Sequence, residues 1–396
     1  MKKKVNYSDA WLVLLCLYSV TTITQSWYPF PMNRIVIAGA ILILAAASVK
    51  RAGKADWFVF GYLGLFGLYT TWIAKDKGVN LVDYIYYFTA FLQLSYFSHK
   101  DSWEELRDSA QRLDRFLGII VVIDFVIILG SLLWPGCHRT HEYWGNKTYF
   151  FGFTNSVHTV SAGCCLAMTL AILYFTKRKF SLIHLPILGI YAYAVLESGA
   201  RVFLVPVMIL LFVYIHNRIE NKRLMWILYG IGIPMLMAML AFSGFVQKIM
   251  HQYAYAQEMG ISFLTTFTNG RDVLWAKDIA DFVGNKFIFQ FLGNGFDYVY
   301  VLNYSPVTNA GVWAHNDFIN ILVCAGMLGL ALYLLLLLRV YRSGGKMGLI
   351  NGVMIATYVL FPAFMNGFYT YYHYFSSVFL LMVAINNMTA KDRRTV

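Results

Sequence analysis

Twelve long apolar segments restrict this chain of 396 residues to an all-α, polytopic membrane fold. A helix crosses the hydrocarbon core of a bilayer in roughly 20 apolar residues, and lipid offers its backbone no other hydrogen-bond partner. The composition agrees, because 59% of the residues are hydrophobic and only 13% are charged. The seventh and eighth segments nearly touch, and one bent hairpin is an alternative for them. The predicted spans are 10–27, 33–49, 56–74, 80–98, 116–134, 156–176, 181–197, 200–216, 224–243, 315–338, 348–366 and 370–388.

The basic residues predict how these spans are oriented. Most of the 32 Lys and Arg residues share one side if the N-terminus lies inside, so both termini are expected in the cytoplasm. The net charge of +12 is therefore mainly a topology signal and does not indicate a nucleic-acid partner. The leading MKKK enters an apolar segment without a clear cleavage site, which predicts a retained first span. The five Cys residues show neither disulfide nor metal-site spacing.

Two of the predicted outer loops are long, 135–155 and 244–314. The second contains a predicted surface helix at 247–258, an amphipathic helix at 271–283 and the glycine-rich turn FLGNGFD at 291–297. We expect it to form a helical cap on the outer leaflet, between the ninth and tenth spans. The predicted regions are an N-terminal transmembrane bundle (1–180), a central region that includes the cap (181–340) and C-terminal transmembrane helices (341–396).

Three residues at predicted helix starts on the outer side are candidates for chemistry. Arg201 lies in ESGARVFLVPV, Arg271 in TNGRDVLW and His315 in AHNDFINIL. A guanidinium group pairs well with phosphate oxygens, and helix N-termini add free N–H groups, so the two arginines are suited to a diphosphate. The helix dipole disfavours a protonated imidazole at a helix start, which leaves His315 able to accept a proton.

Structural roles would also explain these residues. Arg201 has Glu197 four residues before it, Arg271 has Asp272 beside it, and His315 could be an interfacial histidine. The Tyr-rich run NGFYTYYHYF at 366–375 is typical of an interfacial anchor. Two further groups have simple explanations: Asn316 and Asp317 as helix N-caps, and His138, Arg139, His141, Glu142, Lys248 and Lys286 as solvated surface residues.

In their order, the motifs resemble the O-antigen ligase and polymerase superfamily (WaaL/Wzy-like, with a C-type glycosyltransferase fold). They are SGARVFLVPV, then NGRDVLWAKDIADF and FLGNGFD in the large loop, then AHNDFINILVCAGMLGL with its glycine pair. They cover about 190–335, and the twelve-span layout agrees over the rest of the chain. Many members carry leucine soon after the His–Asn pair, whereas this chain has Asp317 there, which bears on the subfamily more than on the superfamily.

The resemblance implies an inverting, metal-independent glycosyl transfer without a cofactor, at the outer face of a bacterial cytoplasmic membrane. It implies that Arg201 and Arg271 hold the diphosphate of an undecaprenyl-diphosphate-linked glycan donor, that His315 takes a proton from the acceptor hydroxyl, and that Asn316 contributes to substrate binding. Membrane lipid, a glycan acceptor and a chain-length regulator are the expected partners. The amphipathic helix at 271–283 carries Val273, Ala276, Ile279 and Ala280 on one face. Trp275, Phe282, Phe287 and Phe291 fit an interfacial lid on the cap, and core packing of the cap explains them as well.

The expected reaction is the polymerisation of lipid-linked repeat units of a surface polysaccharide. An O-antigen ligase, which transfers the finished glycan to lipid A core or protein, uses the same donor chemistry and is the first alternative. A lipid-linked oligosaccharide flippase or transporter is the alternative from another class and would require polar residues at mid-membrane depth. Asp83 and Asp124 are the candidates for such a path. A scaffold protein would not need two arginines and a histidine in this order.

Overall fold

The structure is a computed structural model that describes residues 6–73, 82–141, 147–242, 250, 253–254, 257–258, 260, 262–268, 270–305 and 310–392. Helices dominate these residues. In chain order they are α1 (Tyr7–Ile23), α2 (Met32–Arg51), α3 (Lys54–Leu68), α4 (Val82–Phe97), α5 (Lys100–Arg112), α6 (Asp114–Leu133), α7 (Val157–Phe175), α8 (His184–Ser198), α9 (Leu204–Arg218), α10 (Lys222–Phe242), α11 (Phe263–Thr268), α12 (Arg271–Gly284), α13 (Phe287–Leu292), α14 (Tyr298–Leu302), α15 (Asp317–Ser343), α16 (Leu349–Met365) and α17 (Tyr372–Asp392). Short 3-10 helices occupy Gln25–Trp27, Pro135–Cys137 and Arg201–Phe203, a π-helix follows α3 at Tyr69–Ile73, and two-stranded antiparallel hairpins pair β1 (His138–His141) with β2 (Lys147–Phe150) and β3 (Tyr304–Ser305) with β4 (Ala310–Gly311).

Each predicted apolar segment coincides with a helix, so the chain is an all-α membrane protein in its main architecture. The seventh and eighth segments are two separate helices, α8 and α9, joined at Gly199 (φ 67°). Length and hydropathy suffice for a membrane crossing in Met32–Arg51, Asp114–Leu133, Val157–Phe175, Arg201–Arg218 and Asp317–Ser343. The total of twelve crossings stays a prediction.

Large apolar side chains cover much of the bundle's exterior. Leu65 is 70% exposed, Leu133 77% and Leu349 84%. Such an exterior would be costly in water, but it suits the hydrocarbon interior of a bilayer.

Helix α7 lies at the centre of the bundle and is buried along almost its whole length. It packs against α1, α6, α8, α9 and α17. Helices from the three regions predicted from the sequence therefore share one hydrophobic core.

One end of the bundle, here called the basic end, gathers charged side chains from several helices. Arg112 pairs with Asp9 at 2.8 Å, and Arg178 pairs with Asp114 at 2.9 Å. Arg218, the last residue of α9, donates to the carbonyl of Arg178. Because α9 begins beside Arg201 and ends at the basic end, Arg201 lies at the opposite end, here called the site end.

Helix α5 and the hairpin β1–β2 are elements outside the cap that were not predicted from the sequence. Helix α5 lies in a predicted inner loop and buries Trp103, Leu106 and Ala110. The loop 135–155, expected to be solvated, contains the hairpin β1–β2, which pairs His138 with Phe150. The predicted surface helix at 247–258 falls largely outside the described residues, as do Glu142 and Lys248.

The glycine-rich turn packs against a break in α15. Gly326 has φ 68° and ψ −174°, which no regular helix contains, so α15 kinks there. The carbonyl groups of Val323 and Cys324 accept instead from the backbone N–H groups of Asn294 (3.0 Å) and Gly295 (2.9 Å). A Cβ atom on Gly293 would lie 2.1 Å from the Cys324 oxygen, so the two chains approach this closely only through glycine.

Candidate functional site

Arg201 begins the 3-10 helix between α8 and α9 at the site end. The chain turns at Gly199, where a Cβ atom would lie 2.8 Å from the ring of Tyr149. Tyr149 is also close enough to Arg201 for their charges to interact.

Arg271 begins α12, directly after Gly270 in the left-handed region (φ 78°). Its Nη1 donates to the carbonyl of Met365, the last residue of α16, and its Nη2 donates to Oδ1 of Asn366 at 3.0 Å. Arg271 thereby satisfies a free carbonyl at the C-terminus of a helix. The neighbouring Asp272 accepts hydrogen bonds from two threonine hydroxyls, Thr265 and Thr268, both at 2.7 Å.

His315 lies just before α15 in an unusual backbone conformation, with φ 53°. Two tryptophans hold this segment: Trp275 of α12 donates to the carbonyl of Ala314 at 2.7 Å, and the Trp313 ring lies 5.0 Å from the imidazole. Nδ1 of His315 is buried and has no hydrogen-bond partner among the described residues.

The charge of Arg271 interacts with that of Arg201 and with the imidazole of His315. Burial, with a smaller contribution from the charge of Arg201, lowers the pKa of Arg271 to about 10, while Tyr371 acts in the opposite direction. Burial lowers the pKa of His315 to about 3, with smaller contributions in the same direction from Arg271 and His158, while Asn366 acts in the opposite direction. The site therefore concentrates positive charge around a neutral imidazole, which is a suitable environment for an anion.

Asn316 and Asp317 have distinct structural roles. Asn316 is the N-cap of α15, and its Oδ1 accepts from the backbone N–H groups of Phe318 (3.0 Å) and Ile319 (3.2 Å). Its side chain is 1% exposed, so capping rather than contact with an outside ligand accounts for its geometry. Asp317 is not the cap; its carboxylate accepts from the backbone N–H groups of Phe368 (2.9 Å) and Tyr369 (3.2 Å).

The Tyr-rich run 366–375 is not the interfacial anchor expected from the sequence. Tyr369, Tyr372 and Tyr374 are at most 2% exposed. The run begins at the site, where Asn366 contacts Arg271 and donates to the hydroxyl of Tyr371 at 3.3 Å. An asparagine next to a glycine at the end of an apolar span was the signal that could have placed it there.

His158 is a second imidazole at the site that sequence reasoning missed. It lies in the first turn of α7, and its ring centroid is 6.2 Å from that of Phe203, two residues after Arg201. Phe203 in turn lies 5.8 Å from Tyr371. The available signal was a histidine at the start of an apolar span on the same predicted side as His315.

The cap helix α12 presents its apolar side outward. Val273 is 59% exposed and Ile279 44% exposed, whereas Asp278 is buried and accepts from the side chain of Asn303 at 2.8 Å. This arrangement leaves the apolar residues available to lipid. Their insertion into a bilayer stays a prediction.

The two carboxylates considered for a transport path are both buried. Asp124 lies inside α6 and accepts from the hydroxyl of Ser19 at 2.9 Å. The backbone N–H of Asp83 donates to the carboxylate of Asp297 at 3.2 Å, near the glycine-rich turn. Each is thus tied to a neighbouring element of the bundle.

The sequence matches no protein-family model and no curated protein. The resemblance to the O-antigen ligase and polymerase superfamily therefore rests on the ordered motifs. Within the described ranges, no group of three or more His, Cys, Asp or Glu side chains is placed to hold a metal ion.

Proposed function

We propose that this protein is an inverting glycosyltransferase of the bacterial cytoplasmic membrane. It polymerises repeat units of a surface polysaccharide that are linked to undecaprenyl diphosphate. In each cycle an acceptor hydroxyl attacks the anomeric carbon of the donor glycan and the bond from that carbon to the diphosphate oxygen breaks. The hydroxyl proton passes to His315, and undecaprenyl diphosphate leaves.

The observation that carries this proposal is the position of Arg271. It lies close enough to Arg201 and to His315 for its charge to interact with both. Two guanidinium groups are suited to stabilise the charge that develops on a leaving diphosphate, because fixed cations in a partly dry site need no reorganisation. The imidazole next to them is then on the side from which an acceptor approaches.

Anion binding would also make His315 a better base. Burial and Arg271 hold the pKa of His315 at about 3, which is low for a general base. A diphosphate bound to the arginines would offset their charge and favour the imidazolium form. Proton acceptance would thus be strongest when the donor is in place.

The predicted topology agrees with this assignment. The site lies at the opposite end of the bundle from the basic end, and basic residues favour the cytoplasmic side. A lipid-linked donor with its diphosphate on the outer side would therefore meet the arginines at the membrane surface.

Transfer in nanodiscs with an undecaprenyl-diphosphate-linked repeat tests the proposal directly. The wild-type protein should give longer lipid-linked glycans. Arg271→Gln should lower kcat/KM by about 100-fold, as loss of a charge-stabilising donor does, and His315→Ala by at least about 100-fold, as loss of a general base does. Arg112→Gln is the matched control, because this arginine pairs with Asp9 at the basic end, away from the site.

The same assay separates the alternatives. Full turnover by His315→Ala and Arg271→Gln would contradict the roles assigned to His315 as the base and to Arg271 as a diphosphate ligand. Products formed only when lipid A core is supplied would identify a ligase. Movement of the lipid-linked glycan across the bilayer without any new glycosidic bond would identify a flippase.

A further inference from the structure

An apolar groove of about 270 Å³ lies between α4, α15, α16 and α17. Its floor is buried, since Val340 is 5% exposed and Phe379 1% exposed. Its walls are open to the exterior, since Leu338 and Tyr341 are each 43% exposed. Because those walls belong to the apolar surface that a bilayer covers, the groove is accessible to a lipid chain.

The groove lies towards the basic end of the bundle. Ser343, the last residue of α15, accepts a hydrogen bond at 3.0 Å from Trp103 of α5, the helix that carries Arg112 of the basic end. The α15 side chains in the groove all lie within 334–341, close to that end. Phe368, the lining residue nearest the candidate site, is 1% exposed. A lipid chain in the groove would therefore come from the leaflet at the basic end, not from a donor at the site end.

A polar pocket of about 200 Å³ adjoins the groove at the basic end. Trp103 lines this pocket, and its ring centroid is 6.1 Å from that of Phe379 in the groove. On α17, Val383 of the pocket follows Phe379 of the groove by about one helical turn. An apolar chain in the groove could therefore continue into a polar head group in the pocket.

Positive charge predominates around the pocket. Exposed basic side chains line it or flank its 343–345 segment, and they are Lys100, Arg107, Arg342 and Lys346. The carboxylates beside them are Glu104, 3.7 Å from Lys100, and Asp108, 3.8 Å from Arg107. The amides of Asn386 and Asn387 also line the pocket. Basic pockets between membrane helices are typical sites for anionic lipid head groups.

We propose that the groove and the pocket together bind one anionic glycerophospholipid from the leaflet at the basic end. One acyl chain occupies the groove, and the phosphate lies beside Lys100 and Arg107, which are suited to phosphate oxygens. A zwitterionic lipid fits less well, because its own cation offsets the attraction of its phosphate. The inference does not depend on the proposed glycosyl transfer, since neither basic residue belongs to the candidate site.

Native mass spectrometry of the detergent-solubilised protein, titrated with palmitoyl-oleoyl phosphatidylglycerol, tests the head-group pocket. The affinity should exceed that for phosphatidylcholine with the same chains by at least about fivefold. Lys100→Gln and Arg107→Gln should each lower the affinity for phosphatidylglycerol about fivefold, as loss of one basic residue near an anionic lipid does. The double variant Lys222→Gln, Arg223→Gln is the matched control, because these exposed residues lie in the first turn of α10 at the same end, outside the pocket.

Photolabelling tests the groove itself. Phosphatidylglycerol with a diazirine in its acyl chain should label peptides of α15 and α16 in the wild-type protein. Ala356→Phe adds a ring to a half-buried position in the groove and should reduce this labelling. Equal affinity for the two lipids, or unchanged affinity in both Lys100→Gln and Arg107→Gln, would overturn the inference. So would labelling of the groove by a photoactivatable undecaprenyl phosphate that phosphatidylglycerol does not displace.

Discussion

His315 and Asp297 are the non-glycine residues with positive φ in the described chain, at 53° and 62°. Such a conformation costs on the order of 1–3 kcal/mol unless neighbours compensate. Around His315 the compensation is visible in the Trp275 bond to Ala314 and in the Asn316 cap. Backbone strain is thus located at the residue that is proposed to carry the proton.

Acid should destabilise the protein partly through His315. Its pKa is about 3 in the folded state and about 6.5 in an unfolded chain, so between these values the unfolded state binds more protons. The free energy of unfolding should therefore fall as pH drops from about 6.5 towards 3, and His315→Gln should reduce that slope. Thermal unfolding in detergent across this pH range measures it. His216→Gln, at the far end of α9, is the control, and equal slopes for the His315 variant and wild type would contradict the prediction.

The sequence motifs identified the candidate site residues, but they did not predict which side chains these residues contact. Arg201, Arg271 and His315 stood out because each is polar at the start of a helix, which is a local signal. Asn366 and His158 join them only through tertiary packing of α16 and α7, which no local pattern encodes. The Tyr-rich run was misassigned for the same reason, because an aromatic run has the same composition at an interface and in a core.

The helices and strands also differ in whether local sequence or tertiary packing determines them. Twelve apolar segments predicted helices well, because hydropathy and length act within one segment. Helix α5 and the hairpin β1–β2 were missed, since their polar sequences are stabilised by packing against the bundle. Both glycine motifs were recognised, but their contact with each other through Gly293 and the break in α15 follows only from the fold.

The close contact between the glycine-rich turn and the break in α15 predicts that one added methyl group will strongly destabilise the protein. In Gly326→Ala the new Cβ would lie 2.3 Å from the carbonyl oxygen of Phe291, and alanine is disfavoured at φ 68°. We expect a loss of about 2 kcal/mol or more in the free energy of unfolding, together with loss of transfer activity. Gly189→Ala in α8 meets no atom within 4 Å and should leave stability unchanged or raise it by up to about 1 kcal/mol. Thermal unfolding of both variants gives the comparison, and equal stability would show that the break in α15 is not required.

At the scale of the whole molecule, the bundle has two chemically different ends. At the basic end, ion pairs join α1 to α5 and α6 to the segment that follows α7, whereas the site end carries Arg201, Arg271, the imidazoles and the cap. The central position of α7 connects the two, since it starts near His158 and finishes near Arg178. The proposed reaction requires that the site end face outward.

Cysteine labelling tests this orientation. The five native cysteines are all buried, so they should give little background with a membrane-impermeant maleimide. Lys286→Cys lies on the exposed surface of the cap, and Lys346→Cys lies on the exposed segment after α15. In sealed cells the reagent should label Lys286→Cys, whereas Lys346→Cys should react only after the membrane is permeabilised. The reverse pattern would place Arg201, Arg271 and His315 in the cytoplasm, where a donor displayed on the outer leaflet cannot reach them, and the proposed polymerase would have to be abandoned.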